Sequence, residues 1–237
     1  MVYSESMFFT GNSSSEPARV EPDYPALRQE MVERQLQARG IRDPRVLAAM
    51  LEIPREEFVP AHLRHLAYMD DPVPIGFGQT ISQPYMTALM VECLELTGDE
   101  LVLDVGSGSG YHAAVLAAIA RWVYSIEIIP ELAEQARKNL RRVGRDHNVT
   151  VICGDGSAGY PEHAPYDAIS VAAAAPEVPP RLLEQLKDPG RLVIPVGSLW
   201  DQELRLVTKQ GGTVQSRVVT YCRFVPLRGG EGWEVPS

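Results

Sequence analysis

From residue 98 onward the chain alternates short apolar runs with amphipathic ones, and this alternation restricts the possible folds more than any other feature. Leu101–Val105, Val149–Cys153 and residues 122–126, 168–172 and 192–195 are apolar runs of strand length. Helical patterns occupy residues 111–120 and 130–143 between the early ones. A strand, a helix and another strand in succession must cross over, which makes the strands parallel and lays helices on both faces of the sheet. The last segment departs from this pattern. Residues 204–208, Gly211-Gly212 and residues 218–225 predict an antiparallel pair closing one edge. The fold class is therefore α/β, a doubly wound, mostly parallel sheet with an antiparallel C-terminal strand.

A length of 237 residues, 45% hydrophobic and 22% charged, suits one such domain with a smaller decoration and a sizeable buried core. Three stretches are expected. Residues 1–24 are polar and rich in breakers, as in Gly11-Asn12-Ser13-Ser14-Ser15-Glu16-Pro17, and predict a disordered tail. Residues 25–97 predict a small N-terminal helical region that includes an irregular loop, and residues 98–237 the sheet domain. Within the middle stretch, Leu27/Met31 and Val32/Leu36 recur at helical spacing before Gly40, and shorter helical pieces follow at residues 44–51 and Arg55–Phe58. The prolines and glycines of residues 71–83 predict a loop without regular structure, and Pro84 opens a helix that runs to about residue 95.

The formal net charge of -9 repels phosphate backbones, so nucleic acid is not an expected partner. Cys93, Cys153 and Cys222 are widely spaced and odd in number, which argues against a disulfide framework or a zinc knuckle and for a reducing cytoplasm. No apolar run reaches the ~20 residues of a membrane span, and no basic-then-apolar leader opens the chain. A cytoplasmic monomer without membrane contact is expected.

Chemistry enters with Leu103-Asp104-Val105-Gly106-Ser107-Gly108-Ser109-Gly110-Tyr111, which leaves a predicted strand and opens a predicted helix. Glycines there let the backbone approach a ligand, and the helix N-terminus faces it. A plain tight turn is the bland alternative. A dinucleotide fingerprint wants its third glycine at position 111, which is tyrosine here. Gly-x-Gly-x-Gly behind Asp104 resembles instead motif I of class I methyltransferases, which implies S-adenosyl-L-methionine as cofactor, with Asp104, Gly106, Ser107, Gly108 and Gly110 around it. Glu127 ends the second strand, where its carboxylate could accept both ribose hydroxyls, or simply face solvent. Asp155, with Gly156 beside it, follows the third strand and could accept from the adenine amino group, or serve only its turn. Ligands of open α/β sheets bind at this carboxyl edge.

The acceptor is not legible from the fold. Residues 170–176 carry no polar Asn/Asp-Pro-Pro tetrad of the amino-methylating kind, and His62, His65, His112, His147 and His163 form no evident metal-binding cluster. No metal is expected. A carboxylate acceptor needs no base, because at a pKa of about 4 it is already ionised.

Pro74-Ile75-Gly76-Phe77-Gly78-Gln79-Thr80-Ile81-Ser82-Gln83-Pro84 closely resembles the signature loop of the protein-L-isoaspartate O-methyltransferase family. Gly154-Asp155-Gly156, Ala164-Pro165-Tyr166-Asp167-Ala168-Ile169, Gly190-Arg191-Leu192-Val193-Ile194-Pro195-Val196-Gly197 and Arg223-Phe224-Val225-Pro226-Leu227 extend the likeness over about residues 26 to 230. The resemblance implies a Rossmann-like fold and methyl transfer to the side-branch carboxylate of isoaspartyl residues in damaged proteins and peptides. It also implies Ser82 as the active-site residue, Thr80 and Gln79 shaping the acceptor pocket, and closure of the released ester to a succinimide. Ser82 could equally cap the helix that Pro84 begins. Two departures stand out: Asp104-Val105 replaces a common Glu-Ile, and Ala172 replaces a common threonine. A methyltransferase for small molecules, and a cofactor-binding protein without catalysis, are the competing readings.

Overall fold

The computed structural model describes residues 22–233. The expected tail therefore lies outside the described residues, except at its very end. Asp23 caps helix α1 (Tyr24–Glu30) by accepting from Ala26 N at 3.1 Å. The helix continues as a wide π turn (Met31–Leu36) and a 3-10 turn (Gln37–Arg39), and Gly40 ends it at φ +102°. Helix α2 (Pro44–Glu52) starts on an Asp43 cap with Pro44 in the first turn, and 3-10 turns follow at Arg55–Phe58 and Ala61–Leu66.

The segment expected to be irregular is a hairpin. Strands β1 (Val73–Gly76) and β2 (Gln79–Ile81) pair antiparallel, with Val73 opposite Ile81 and Pro74 opposite Thr80. Pro74, which has no N–H to donate, is tolerated because each strand of a two-stranded ribbon has one open edge. Its tip is Gly76-Phe77-Gly78, all three at positive φ, with the Phe77 ring 57% exposed. Helix α3 (Pro84–Leu94) then enters the core with eight of its residues buried.

Strands β3 (Leu101–Val105), β4 (Trp122–Glu127), β5 (Val149–Cys153) and β6 (Tyr166–Val171) are parallel, as is β7 (Leu186–Gly197) to β6. The antiparallel end is the pair β8 (Gln202–Gln210) and β9 (Thr213–Cys222). The order is β5-β4-β3-β6-β7-β8-β9. Helices α4 (Tyr111–Ala117), α5 (Pro130–Arg142) and α6 (Pro180–Gln185) link the strands; α6 was not anticipated from periodicity, being too short to show one. Alternate strand residues serve two cores. Val102, Val123 and Ala168 pack toward α3, α4 and the N-terminal helices. Leu103, Ile126, Ile169 and Leu192 pack toward α6. The chain order reverses at β3, between β4 and β6, which is where open sheets of this type leave a crevice.

Candidate active site

The crevice lies at the carboxyl ends of four neighbouring parallel strands. A cleft of about 60 Å³ is lined by Gly106 after β3, Glu127 at the end of β4, Gly156 after β5 and Ala172 after β6. Residues 225–228 and the hairpin residues Gln79 and Thr80 cover it. Two further hollows of about 30 Å³ adjoin it. One is lined by Ser82, Thr87, Ser107, Ser109 and His112, the other by Ser82, Gln83, Met86 and Arg223. Thr80 lines all three spaces and so joins them.

Backbone geometry accounts for two of the glycines. At Gly106, φ +91° is a left-handed conformation that side-chain-bearing residues rarely adopt. At Gly110, φ +90° is combined with contact to helix α5, since a Cβ would meet Ala136 at 3.2 Å. Gly110 therefore packs helix on helix and does not line the cleft, while Gly106 and Gly108 do.

Glu127 reaches across the loop. Its Oε2 accepts from Gly108 N at 2.8 Å and its Oε1 from Ile129 N at 2.9 Å. A carboxylate has about four acceptor positions, so two remain for the hydroxyls of a ligand.

Asp104 occupies another place. It is fully buried in the sheet beside Ser125 and Ser170 in register, and it does not border the cleft. Its Oδ2 accepts from Ser125 Oγ at 2.6 Å, Ser125 Oγ also contacts Ser107 Oγ, and Oδ1 has no partner. Burial pushes its pKa up to about 7, against the Ser125 hydrogen bond and with some help from the charge of Glu127. Asp104 and Ser107 therefore support the glycine loop from below.

Asp155 is also engaged. Its Oδ1 accepts from Ser157 N (2.9 Å) and Ser157 Oγ (2.7 Å), and its Oδ2 accepts from Gly230 N (2.8 Å). Burial would raise its pKa, but the Ser157 hydroxyl and the backbone donors outweigh that and hold it below the ordinary carboxylate value. Its neighbour Gly156 lines the cleft in its stead, and a Cβ there would strike Val105 at 2.6 Å.

Ser82 is not the helix cap. That position belongs to Gln83, which caps with no side-chain hydrogen bond. Ser82 lines both small hollows, and its hydroxyl makes no hydrogen bond among the described residues. Gln79 borders the cleft, its Nε2 donating to Phe77 O at 3.3 Å.

Two contributors were missed by sequence reasoning. His112 was grouped with the scattered histidines, yet it is buried beside Ser82, with Nε2 2.8 Å from Ser170 Oγ. Burial lowers its pKa to about 4. The signal was its place on the first turn of the helix that opens from the glycine loop. Arg223 is exposed on the rim of the second hollow, and nothing in its local sequence sets it apart from other surface arginines.

Comparison with known proteins agrees with this geometry. Residues 26–232 match the family model described as Protein-L-isoaspartate(D-aspartate) O-methyltransferase (PCMT). A protein-L-isoaspartate O-methyltransferase of Hyperthermus butylicus is 53% identical over 226 residues, 91% of this chain and 94% of that protein. Protein-L-isoaspartate O-methyltransferase 2 of Marinobacter nauticus is 57% identical over 214 residues, 89% of this chain and 97% of that protein. Among solved structures, a Plasmodium falciparum chain assigned as a protein-L-isoaspartate O-methyltransferase, in complex with S-adenosyl-L-homocysteine, superposes with a TM-score of 0.74 at 28% identity. That superposition covers 88% of this chain and 99% of the other. With its family match spanning nearly all the described residues and its glycine loop, Glu127 and Ser82 hairpin meeting at one crevice, the chain belongs to the protein-L-isoaspartate(D-aspartate) O-methyltransferase family.

Proposed function

We propose that this chain methylates the side-branch carboxylate of L-isoaspartyl residues in damaged proteins and peptides, using S-adenosyl-L-methionine. The observation that carries the reading is the junction at Thr80. It joins a carboxylate-ended cleft suited to a nucleoside with hollows walled by the Ser82 hydroxyl and rimmed by Arg223.

Gly106, Gly108, Glu127 and Gly156 would hold the cofactor, with Asp104, Ser107 and Gly110 fixing the loop and Asp155 fixing the far wall. Bound there, S-adenosylmethionine supplies a methyl group activated by a sulfonium sulfur. The chain's task is then to present a nucleophile. The buried imidazole of His112 titrates near 4 and is a poor proton acceptor at neutral pH, which disfavours acceptors that must be deprotonated. A carboxylate needs no such help. Arg223 would draw it to the rim of an otherwise acidic protein. Ser82 and Thr80 would orient it by donating hydrogen bonds that leave its charge in place, while the hairpin sheds water from it. Placement of this kind lowers barriers by up to ~7–11 kcal/mol. The ester product then closes to a succinimide without further assistance, the neighbouring backbone amide nitrogen attacking the ester carbonyl and methanol leaving.

Cys93, Cys153 and Cys222 are free thiols, which supports a cytoplasmic setting. Among the described residues no helix is long and apolar enough to cross a membrane. The test is transfer of labelled methyl to an isoaspartyl peptide beside its normal aspartyl isomer. Labelling of the first alone is expected, and equal labelling of the two, or none, would refute the assignment.

A further inference from the structure

Apart from the cleft, the protein contains a second and roomier cavity of about 310 Å³, in the size range of small-molecule sites. None of its lining residues borders the cofactor cleft, and one, Ser109, also lines the Ser82 hollow. It lies between the 3-10 turns Arg55–Phe58 and Ala61–Leu66, Ile75 of β1 and helix α5. Phe58, Val59, Ile75 and Leu132 give it an apolar body.

Its polar end has an unbalanced set of donors. Arg64 Nη2 and Arg142 Nη1 both approach the single carboxylate oxygen Glu57 Oε2, at 3.2 and 3.1 Å. Two guanidinium groups thus share one carboxylate and leave a net positive charge, in a chain whose overall charge is -9. Arg64 Nε is buried with no acceptor. Ser109, 3% exposed, borders the same cavity, and its hydroxyl is also buried without a partner. Buried donors left unmatched are costly and ask for an acceptor. A ladder leads away from the site: Gln135 Nε2 donates to Asn139 Oδ1 at 2.8 Å, and Asn139 Nδ2 donates to Ser109 O at 2.9 Å. Ser109 belongs to the glycine loop, and Ile75 covers Gly108.

We propose that this cavity is a second ligand site, which takes a carboxylate carried on a short apolar stem. The stem packs on Phe58, Ile75 and Leu132, and the carboxylate accepts from Arg64 Nε and Ser109 Oγ. The same chemistry is offered by a free short-chain carboxylic acid and by an acidic side chain near the damaged residue of a protein substrate.

Calorimetric titration of the full chain with hexanoate tests the site without requiring methyl transfer, so it stands or fails apart from the assigned reaction. Saturable binding is expected, with Arg64→Gln weakening it about tenfold. Gln135→Trp, on the exposed face of α5 at the mouth, should abolish it without unfolding the protein. Absence of binding, equal binding of uncharged hexanamide, or indifference to both variants would overturn the proposal. A kinetic arm separates the two sources. If substrate side chains use the site, hexanoate raises KM for an isoaspartyl peptide with a neighbouring glutamate but not for its glutamine counterpart, at constant kcat. If only free acids use it, binding persists and neither KM changes.

Discussion

At the scale of single residues, the polar seam beneath the glycine loop has the most consequences. Asp104 is titrated at about 7 because it is buried, so the folded state keeps a proton that the unfolded chain releases near pH 4. Its stabilising contribution is complete below about pH 4 and is lost as pH climbs through about 7. Asp104→Asn removes that loss. Its melting temperature relative to the parent should therefore rise between pH 5 and pH 8, and a constant difference across that range would show that Asp104 is not titrating as described. Ser82→Ala should lower kcat by about 10–100-fold, the scale of one hydrogen bond to a charged group, with cofactor affinity unchanged. Parallel loss of both would instead make Ser82 a structural residue. Glu127→Ala should do the converse and weaken cofactor binding by about 10–100-fold in a direct titration, with acceptor KM little altered.

At the scale of elements, the site is closed by two pieces that are remote in sequence. The β1–β2 hairpin covers it from one side. From the other comes residues 225–233, held by Gly230 N on Asp155, Glu231 N on Ser157 Oγ at 3.0 Å, the Arg181–Glu231 ion pair at 2.9 Å, and Trp233 Nε1 on Ala174 O at 3.0 Å. Gly229 makes this strap possible, with φ +138° and a position where a Cβ would lie 1.9 Å from Asp155 Oδ1. Gly229→Ala should detach the strap at a cost of about 1–3 kcal/mol. The expected readouts are faster proteolysis near residue 229 and a raised KM for the cofactor. Unchanged values for both would remove the strap from the site.

At the scale of the whole molecule, a charge of -9 surrounds a site read as taking an anionic acceptor. Long-range repulsion then opposes encounter, while Arg223 acts only at close range. Raising the ionic strength from ~0.01 to ~0.1 M shortens the Debye length from about 30 to about 10 Å. It should thus increase kcat/KM for an acidic isoaspartyl peptide more than for a neutral one. A decrease would mean that the rim arginine, and not the net charge, governs association.

The parallel strands, the helices α4 and α5 between the early ones, the turn at Gly106 and the placing of Glu127 at a strand end were all determined by the sequence itself. Each depends on residues within a few positions, whose apolar spacing and glycine content leave little choice. Tertiary structure decided the rest. The proline- and glycine-rich run at residues 71–83 pairs into a hairpin once its flanks are anchored at Val73 and Ile81 in the core. Asp155 meets Gly230, and His112 meets Ser170, across 75 and 58 residues of chain. Such partners are chosen by strand order and by the path of the last segment, and neither leaves a local trace. A carboxylate's neighbours set whether it binds, supports or titrates, so the tasks of Asp104, Glu127 and Asp155 became distinct only when the sheet brought those neighbours together.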